Sequence, residues 1–374
     1  MKSDTSNNGS GARLRHYCPG GRESGGGIGR LVGYVVDEAA RRGERHLVCD
    51  TRGRRWQIPG SILRLLGAMA ILASDRLLAP ERIHHIHVAG RGSTARKLIL
   101  TFVARSLGCR HILHLHDYDY GADLSRRSPR RQRWVARMFR GADRVIVLGL
   151  RDRDTVVERL GVARDKVVVM HNAVPDPGPK PAQGRDVPLI LFLGQLSQRK
   201  GVPELLTALA SPELAGRDWR AVLAGDGPVA EYRAMAAALD LGDRVEMPGW
   251  LAEPDVRALC ASADILVLPS HAEGLAMAVI EGLAHGLAVV TTRVGAHEEA
   301  LTDGVTCSFV PVGDAKALAG ALERLVTDPA GRRRLGSQGR ALFLSRYSID
   351  AYFGQLDRVL DEISLRGRSL VGAE

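Results

Sequence analysis

The stretch Asp264-Ile-Leu-Val-Leu-Pro-Ser-His-Ala-Glu-Gly-Leu-Ala-Met-Ala-Val-Ile-Glu281 sets the architecture of its half of the chain. The apolar run over 264–268, closed by Pro269, reads as a strand buried on both faces, as in a parallel sheet. A loop holding Glu273 and Gly274 follows, and then a helical pattern that begins near Ala276 and stops at Gly286. Strand, loop and helix in this order form a unit of an open α/β layer, and such layers bind ligands beyond the carboxyl ends of their strands. The helix start directs the backbone amides of Gly274, Leu275 and Ala276 toward a possible anion. Glu281 lies about five residues further in, a rise of roughly 7.5 Å. That separation suits a diphosphate at the helix start and a ribose beside the Glu281 carboxylate; two solvated glutamates are the plainer reading of the pair taken alone.

Working outward, apolar runs alternate with helical patterns: LILFLG (189–194), a helix near 202–210, RAVLAG (220–225), a helix near 229–241, then RVEMPG and AVVTT. The loops after these runs carry the candidate residues. Gly194-Gln-Leu-Ser-Gln-Arg-Lys-Gly201 places Lys200 at a strand's carboxyl end, with Arg199 a lesser candidate because adjacent side chains usually diverge. Gly225-Asp-Gly-Pro228 offers Gly225 and Gly227 for close backbone approach. Pro248-Gly249-Trp250 offers backbone contacts to a base. Each loop alone also reads as an ordinary turn; four at one sheet edge together favour a binding site.

The first half repeats the pattern with RHLVCD (45–50), RIHHIHVAG (82–90), HILHLHD (111–117) and RVIVLG (144–149). Pro175 to Pro188 is rich in proline and glycine and reads as a linker. The expected organisation is therefore two domains, 1–180 and 187–346, with a closing helix over 347–365 that packs toward the first domain. Two facing sheets would leave a cleft between them.

Composition bounds the function. The chain has 374 residues, 45% hydrophobic and 25% charged, enough to bury two cores. Only the first dozen residues, polar and glycine-rich, read as disordered. Five scattered cysteines without CxxC spacing argue against a metal cluster or a disulfide framework and read as small buried hydrophobes. There is no signal-peptide pattern, and the longest apolar stretch, Leu65 to Ala73, is too short to span a bilayer. A cytoplasmic protein is expected, peripheral at most to the inner face of the plasma membrane. Residues 1–180 hold 33 Lys/Arg against 17 Asp/Glu and the remainder 19 against 25, so the basic half suits an anionic partner. With 5% aromatics it lacks a stacking platform, which argues against nucleic acid.

Taken together these motifs resemble the retaining glycosyltransferases of family 4, whose GT-B fold sets two Rossmann-like domains face to face. The resemblance runs from GGGIGR near the start to GRALFLSRYSIDAYFGQL near the end, and its most specific element is the Glu-x7-Glu spacing of Glu273 and Glu281. It implies a UDP- or GDP-sugar donor, Glu273 near the sugar hydroxyls, Glu281 on the ribose and Lys200 on the diphosphate. No cofactor and no metal are implied. The chain departs from the family at Gln195, where an arginine is common, and at Asn172-Ala173, where Asn-Gly is usual.

The same resemblance marks the glycine-rich loop before the first helix, with Gly26, Gly27 and Gly29 facing donor phosphates and acceptor, and His116 as lining the sugar pocket. The run His87–Lys97 resembles members that assemble bacterial exopolysaccharides, which implies a glycan or lipid-linked acceptor; Ser93, Arg96 and Lys97 stand where a helix starts after a strand, a place that suits an acceptor phosphate and equally reads as a plain basic helix start. Arginines at 126, 130, 133, 137 and 140 fall on one helical face beside Trp134, Val135 and Met138, a pattern compatible with an anionic membrane surface. Asp117-Tyr118-Asp119 imitates a metal-binding DxD motif but stands in the half away from the diphosphate. A sugar-nucleotide epimerase and a non-catalytic binding protein of the same architecture are the alternative readings.

Overall fold

The computed structural model describes residues 12–22, 26–53, 58–117, 119–179 and 187–371. Tyr118, Gly25 and the linker residues 180–186 lie outside them. Two compact units are present, one formed by the chain up to His171 and again from Tyr352 onward, the other by Asn172–Ala351. The second unit begins ahead of residue 180 because Val174 bridges Ser348 and Asn172 donates its side-chain amide to the Leu275 carbonyl at 2.8 Å.

The first unit is built on six parallel strands, β1 (Leu14–Cys18), β2 (His46–Asp50), β3 (Ile83–Val88), β4 (His111–Leu115), β5 (Arg144–Val147) and β6 (Val167–Val169), in the order β2-β1-β3-β4-β5-β6. The second has β7 (Leu189–Leu193), β8 (Arg220–Ala224), β9 (Val245–Gly249), β10 (Ile265–Leu268), β11 (Ala288–Thr292) and β12 (Ser308–Val310), in the order β12-β11-β10-β7-β8-β9, also parallel. Each sheet reverses its direction of growth once, between β1 and β3 and between β7 and β10. At such a switch point the loops splay apart and leave a crevice at the carboxyl ends.

Three strands, β1, β6 and β12, were not expected from the sequence. β1 reads Leu-Arg-His-Tyr-Cys, and its polar residues hide a central strand. One face of it buries Arg15, which is held by Asp75 of the helix Ile58–Leu78 through Nε–Oδ2 at 2.6 Å and Nη2–Oδ1 at 2.9 Å. This fork-on-fork geometry is the one in which a mostly buried guanidinium is tolerable. β6 and β12 have three residues each, too few to show a period. The cysteines are all free and buried, as expected. Among the described residues no helix is long and apolar enough to cross a membrane.

Candidate active site

At the switch point of the second sheet, the loop after β7 and the loop after β10 bring three charged residues together. Residues Gln198–Lys200 form a 3₁₀ turn, closed by Gly201 at φ 73°. A Cβ at Gly201 would stand 2.1 Å from the Pro269 carbonyl, so only glycine lets this turn lie against the end of β10. The turn aims two cations at one acid: Lys200 Nζ is 2.6 Å and Arg199 Nη1 3.2 Å from Glu273 Oε1. Arg199 is also tied to the β10 loop, donating to the Ala272 carbonyl at 2.7 Å and accepting from the His271 amide at 2.8 Å. The expectation that Arg199 and Lys200 diverge is therefore corrected. In the tight 3₁₀ turn the two neighbours reach the same carboxylate.

Glu273 is 8% exposed. Burial works against its charged form, but the charge and hydrogen bond of Lys200, with Arg199 behind it, outweigh that effect and hold its pKa below the usual carboxylate range. The result is an ionised triad of two cations and one anion.

The loop from Glu273 to Ala276 is braced from several sides. Gly274 accepts at its carbonyl from Ala296 at 2.8 Å, and Leu275 from Asn172, the residue whose turn departs from the family pattern. Gly295, at φ 55°, lies so close that a Cβ would stand 2.0 Å from the Glu273 carbonyl. The expected anion cradle needs one correction. The Ala276 amide donates to Nε2 of the buried His297 at 3.3 Å, so this donor is already engaged inside the protein. Sequence reading missed His297, since nothing in VGAHEEA marks a ring that folds back beneath the preceding loop.

His297 sits with Nδ1 3.3 Å from the Thr292 carbonyl and 3.2 Å from Thr291 Oγ1. That pattern assigns the proton to Nδ1 and leaves Nε2 as acceptor. Burial lowers its pKa to about 4. Below its unfolded value near 6.5 the unfolded chain takes up a proton that the folded chain refuses until about pH 4, so this contribution to stability is lost as pH falls across that window. The stability advantage of the native chain over His297→Asn is accordingly expected to shrink by about 1.4 kcal/mol per pH unit between pH 6.5 and 4. Chemical denaturation at a series of pH values measures it; a constant difference would contradict the assignment.

The glycines of the neighbouring loops serve close backbone packing. A Cβ on Gly225 would stand 1.8 Å from the Gly194 carbonyl, and one on Gly227 2.3 Å from that of Leu196. The loops are laced by Gly194 N to Ala224 O at 3.0 Å, Leu196 N to Asp226 O at 2.7 Å and Gly225 N to Gly249 O at 2.8 Å. Gln195 lies in this lacing. Gly249 has φ 83° with open space where a side chain would be, and Trp250 is 64% exposed beside it. Glu281 is buried on the helix Met277–Ala284, four residues past its first, about 6 Å along the axis.

In the first unit, Gly26 caps the helix Gly27–Arg41 and accepts from Arg30 at 3.1 Å, and Gly29 is buried. This loop and the turn before the helix Gly92–Ser106 occupy the first sheet's switch point. Lys97 corrects an expectation: it is fully buried, donating to Thr51 Oγ1 at 2.6 Å and to the Tyr17 carbonyl at 3.4 Å, and burial lowers its pKa to about 7. It faces the sheet and not an acceptor phosphate. Ser93 accepts from the Ala89 amide at 3.2 Å, and Arg96 is half-buried. Asp117 is engaged by the Gly90 amide at 2.6 Å and the Asp119 amide at 2.9 Å, a structural use of the DxD imitation. His116 stands half-buried just past β4, its Nε2 2.8 Å from His87 Nδ1. The helix with the arginine stripe starts at Pro129, so Arg126 precedes it; Val135 and Met138 are buried while Trp134 is exposed beneath Arg130.

Comparison with known proteins agrees with this architecture. Residues 25–176 match the family "Glycosyltransferase Family 4" and residues 179–342 match "Glycosyl transferases group 1", so that nearly the whole chain is accounted for. The chain belongs to the family 4 glycosyltransferases. Among relatives of this glycosyltransferase, a lipopolysaccharide core biosynthesis glycosyltransferase, LpsE of Rhizobium meliloti, is 27% identical over 337 residues, spanning 87% of this chain and 93% of that one. Alpha-D-kanosaminyltransferase of Streptomyces kanamyceticus is 31% identical over 181 residues, but that match spans about half of each chain, 48% and 47%. Two solved structures share the GT-B fold. Sucrose-phosphate synthase of Thermosynechococcus elongatus has a TM-score of 0.73 at 19% identity, covering 97% of this chain and 100% of its own. Anabaena HepE, solved with UDP-glucose, has a TM-score of 0.71 at 19% identity, covering 93% and 99%.

Proposed function

We propose that this glycosyltransferase moves a sugar from a nucleoside-diphosphate donor to an acceptor hydroxyl, with retention at the anomeric carbon, during assembly of a bacterial cell-surface polysaccharide. The observation that carries the reading is the convergence of Lys200 and Arg199 on Glu273 at the second sheet's switch point. A departing diphosphate accumulates negative charge as the glycosidic bond breaks, and two cations already held in place stabilise it without reorganisation. Lys200 and Arg199 together supply charge that the family places at the position of Gln195. Glu273 orients the cations and takes hydroxyls of the donor sugar, Glu281 takes the ribose, and the amides of Gly274 and Leu275 add donors.

Several likenesses support this reading. HepE was solved with UDP and with UDP-glucose, which favours a UDP-sugar donor. LpsE acts in lipopolysaccharide core biosynthesis, and another relative, AmsK of Erwinia amylovora, in amylovoran biosynthesis at 24% identity over 316 residues. Both favour a glycan or lipid-linked acceptor. The exposed arginine stripe with Trp134 fits an acceptor that resides at an anionic membrane.

Nucleotide release measured with a panel of UDP- and GDP-sugars and a lipid diphosphate acceptor tests the proposal. Acceptor-dependent release with one donor is expected; isomerisation of the donor without any acceptor would identify an epimerase instead. In the same assay Glu281→Ala is expected to raise the donor KM by roughly 10- to 100-fold, the loss of one or two charge-assisted hydrogen bonds, with a smaller change in kcat. An unchanged KM would remove Glu281 from the donor site.

A further inference from the structure

Eight of the twelve histidines lie on or just past the strands of the first sheet, and six of these form a contiguous layer that the sugar-transfer reading does not use apart from His116. In the register of the sheet His16 on β1 pairs with His85 on β3, and His87 on β3 pairs with His114 on β4. His85 and His87 are two residues apart and therefore on one face. The rings pack against one another, His16 tilted on His85 at 5.1 Å and His85 stacked on His87 at 4.3 Å and on His114 at 5.3 Å between centroids.

We propose that His16, His85 and His87 form a binding site for one zinc-class divalent ion inside the first unit. Ligand nitrogens of these three rings lie within 4.8 Å of one another, and all three residues are at most 1% exposed. His16 Nδ1 and His87 Nε2 are 3.2 Å apart, close to the spacing of about 3.3 Å between two nitrogens bound at 2.0–2.1 Å to a tetrahedral ion. Both nitrogens of His85 are buried without any partner. An orphaned polar group at such depth is costly, and a metal ion is a partner that would satisfy it.

The remaining nitrogens of His16 and His87 supply the outer shell. His16 Nε2 meets His46 Nδ1 at 3.4 Å, and His87 Nδ1 meets His116 Nε2 at 2.8 Å. A metal-bound imidazole almost always donates its second N–H in this way, which fixes the tautomer and ring plane. A set of imidazoles without carboxylate or thiolate suits Zn²⁺, Ni²⁺ or Cu²⁺ and is wrong for Mg²⁺ or Ca²⁺. A second trio, His87, His114 and His116, shares His87. Filling both trios requires His87 to bind through both nitrogens as an imidazolate, and the 2.8 Å separation of His87 from His116 is better suited to a hydrogen bond. One ion, on the inner trio, is therefore expected.

The full-length chain, expressed with added zinc and also refolded in its presence, is analysed for metal by mass spectrometry and titrated with Zn²⁺ against a chromogenic chelator. About one zinc per chain is expected. His85→Ala and His16→Gln are expected to weaken binding at least about 100-fold, while His114→Ala keeps it. Two independent ligand variants guard against one that fails to fold, and circular dichroism identifies such a failure. A native chain free of zinc by both routes, two zinc ions per chain, retention in a folded His85→Ala or His16→Gln, or loss in His114→Ala alone would overturn the proposal. The first of these outcomes would leave the layer as a hydrogen-bonded stack of neutral rings.

Discussion

Replacing Lys200 with alanine is expected to lower kcat/KM by about 10²- to 10³-fold, most of it in kcat. That magnitude is typical of removing one preorganised group facing charge that develops in the transition state. The ammonium is only 13% exposed and stands 2.6 Å from Glu273, so its field is little screened. The variant also leaves a buried carboxylate with Arg199 as its remaining cation, which should reduce stability by about 2 kcal/mol. Steady-state kinetics together with a denaturation curve separate the two effects, and assays belong well below the midpoint of unfolding. Arg199→Ala should cost less in kcat, since Arg199 shares its hydrogen bonds with the Ala272 carbonyl. Full turnover in Lys200→Ala would remove the residue from the mechanism.

The second large effect is expected at Gly225. An alanine Cβ there would lie 1.8 Å from the Gly194 carbonyl, and both partners are backbone, so neither can rotate away. The loops after β7 and β8 must then separate by more than an ångström, breaking their hydrogen-bond lacing and moving the 3₁₀ turn that carries Lys200. A displacement of that size in a positioned site costs about 10²-fold in rate, and overpacking adds about 1–3 kcal/mol of destabilisation. Gly216→Ala is the matched control, because nothing lies within 4 Å of its added Cβ. Comparable activity in the two variants would contradict the packing argument.

Legibility in the sequence followed physical locality. β7, β8 and β10 were readable because each is a largely apolar, buried run closed by glycine or proline, and β11 because its buried run opens just after Gly286. β1 was not, since Arg15 and His16 find their partners on Asp75 and His87, which are distant in sequence. Among the candidate site residues, Lys200, Glu273 and Glu281 were visible through spacing within one loop or helix. The joint action of Arg199 and Lys200 depended on a 3₁₀ turn that no period announces. His297 acts across twenty-one residues of chain on the Ala276 amide. The histidine layer was invisible for the same reason: each strand from β1 to β4 shows between one and three rings, and only the registers β1 to β3 and β3 to β4 assemble them.

A structure of the enzyme with bound UDP tests the central claim most directly. The account places the diphosphate within hydrogen-bonding distance of Lys200 or Arg199 and the ribose hydroxyls on Glu281, at the carboxyl ends of β7 and β10. A diphosphate bound away from both cations, or a nucleotide seated wholly on the first unit, would contradict it.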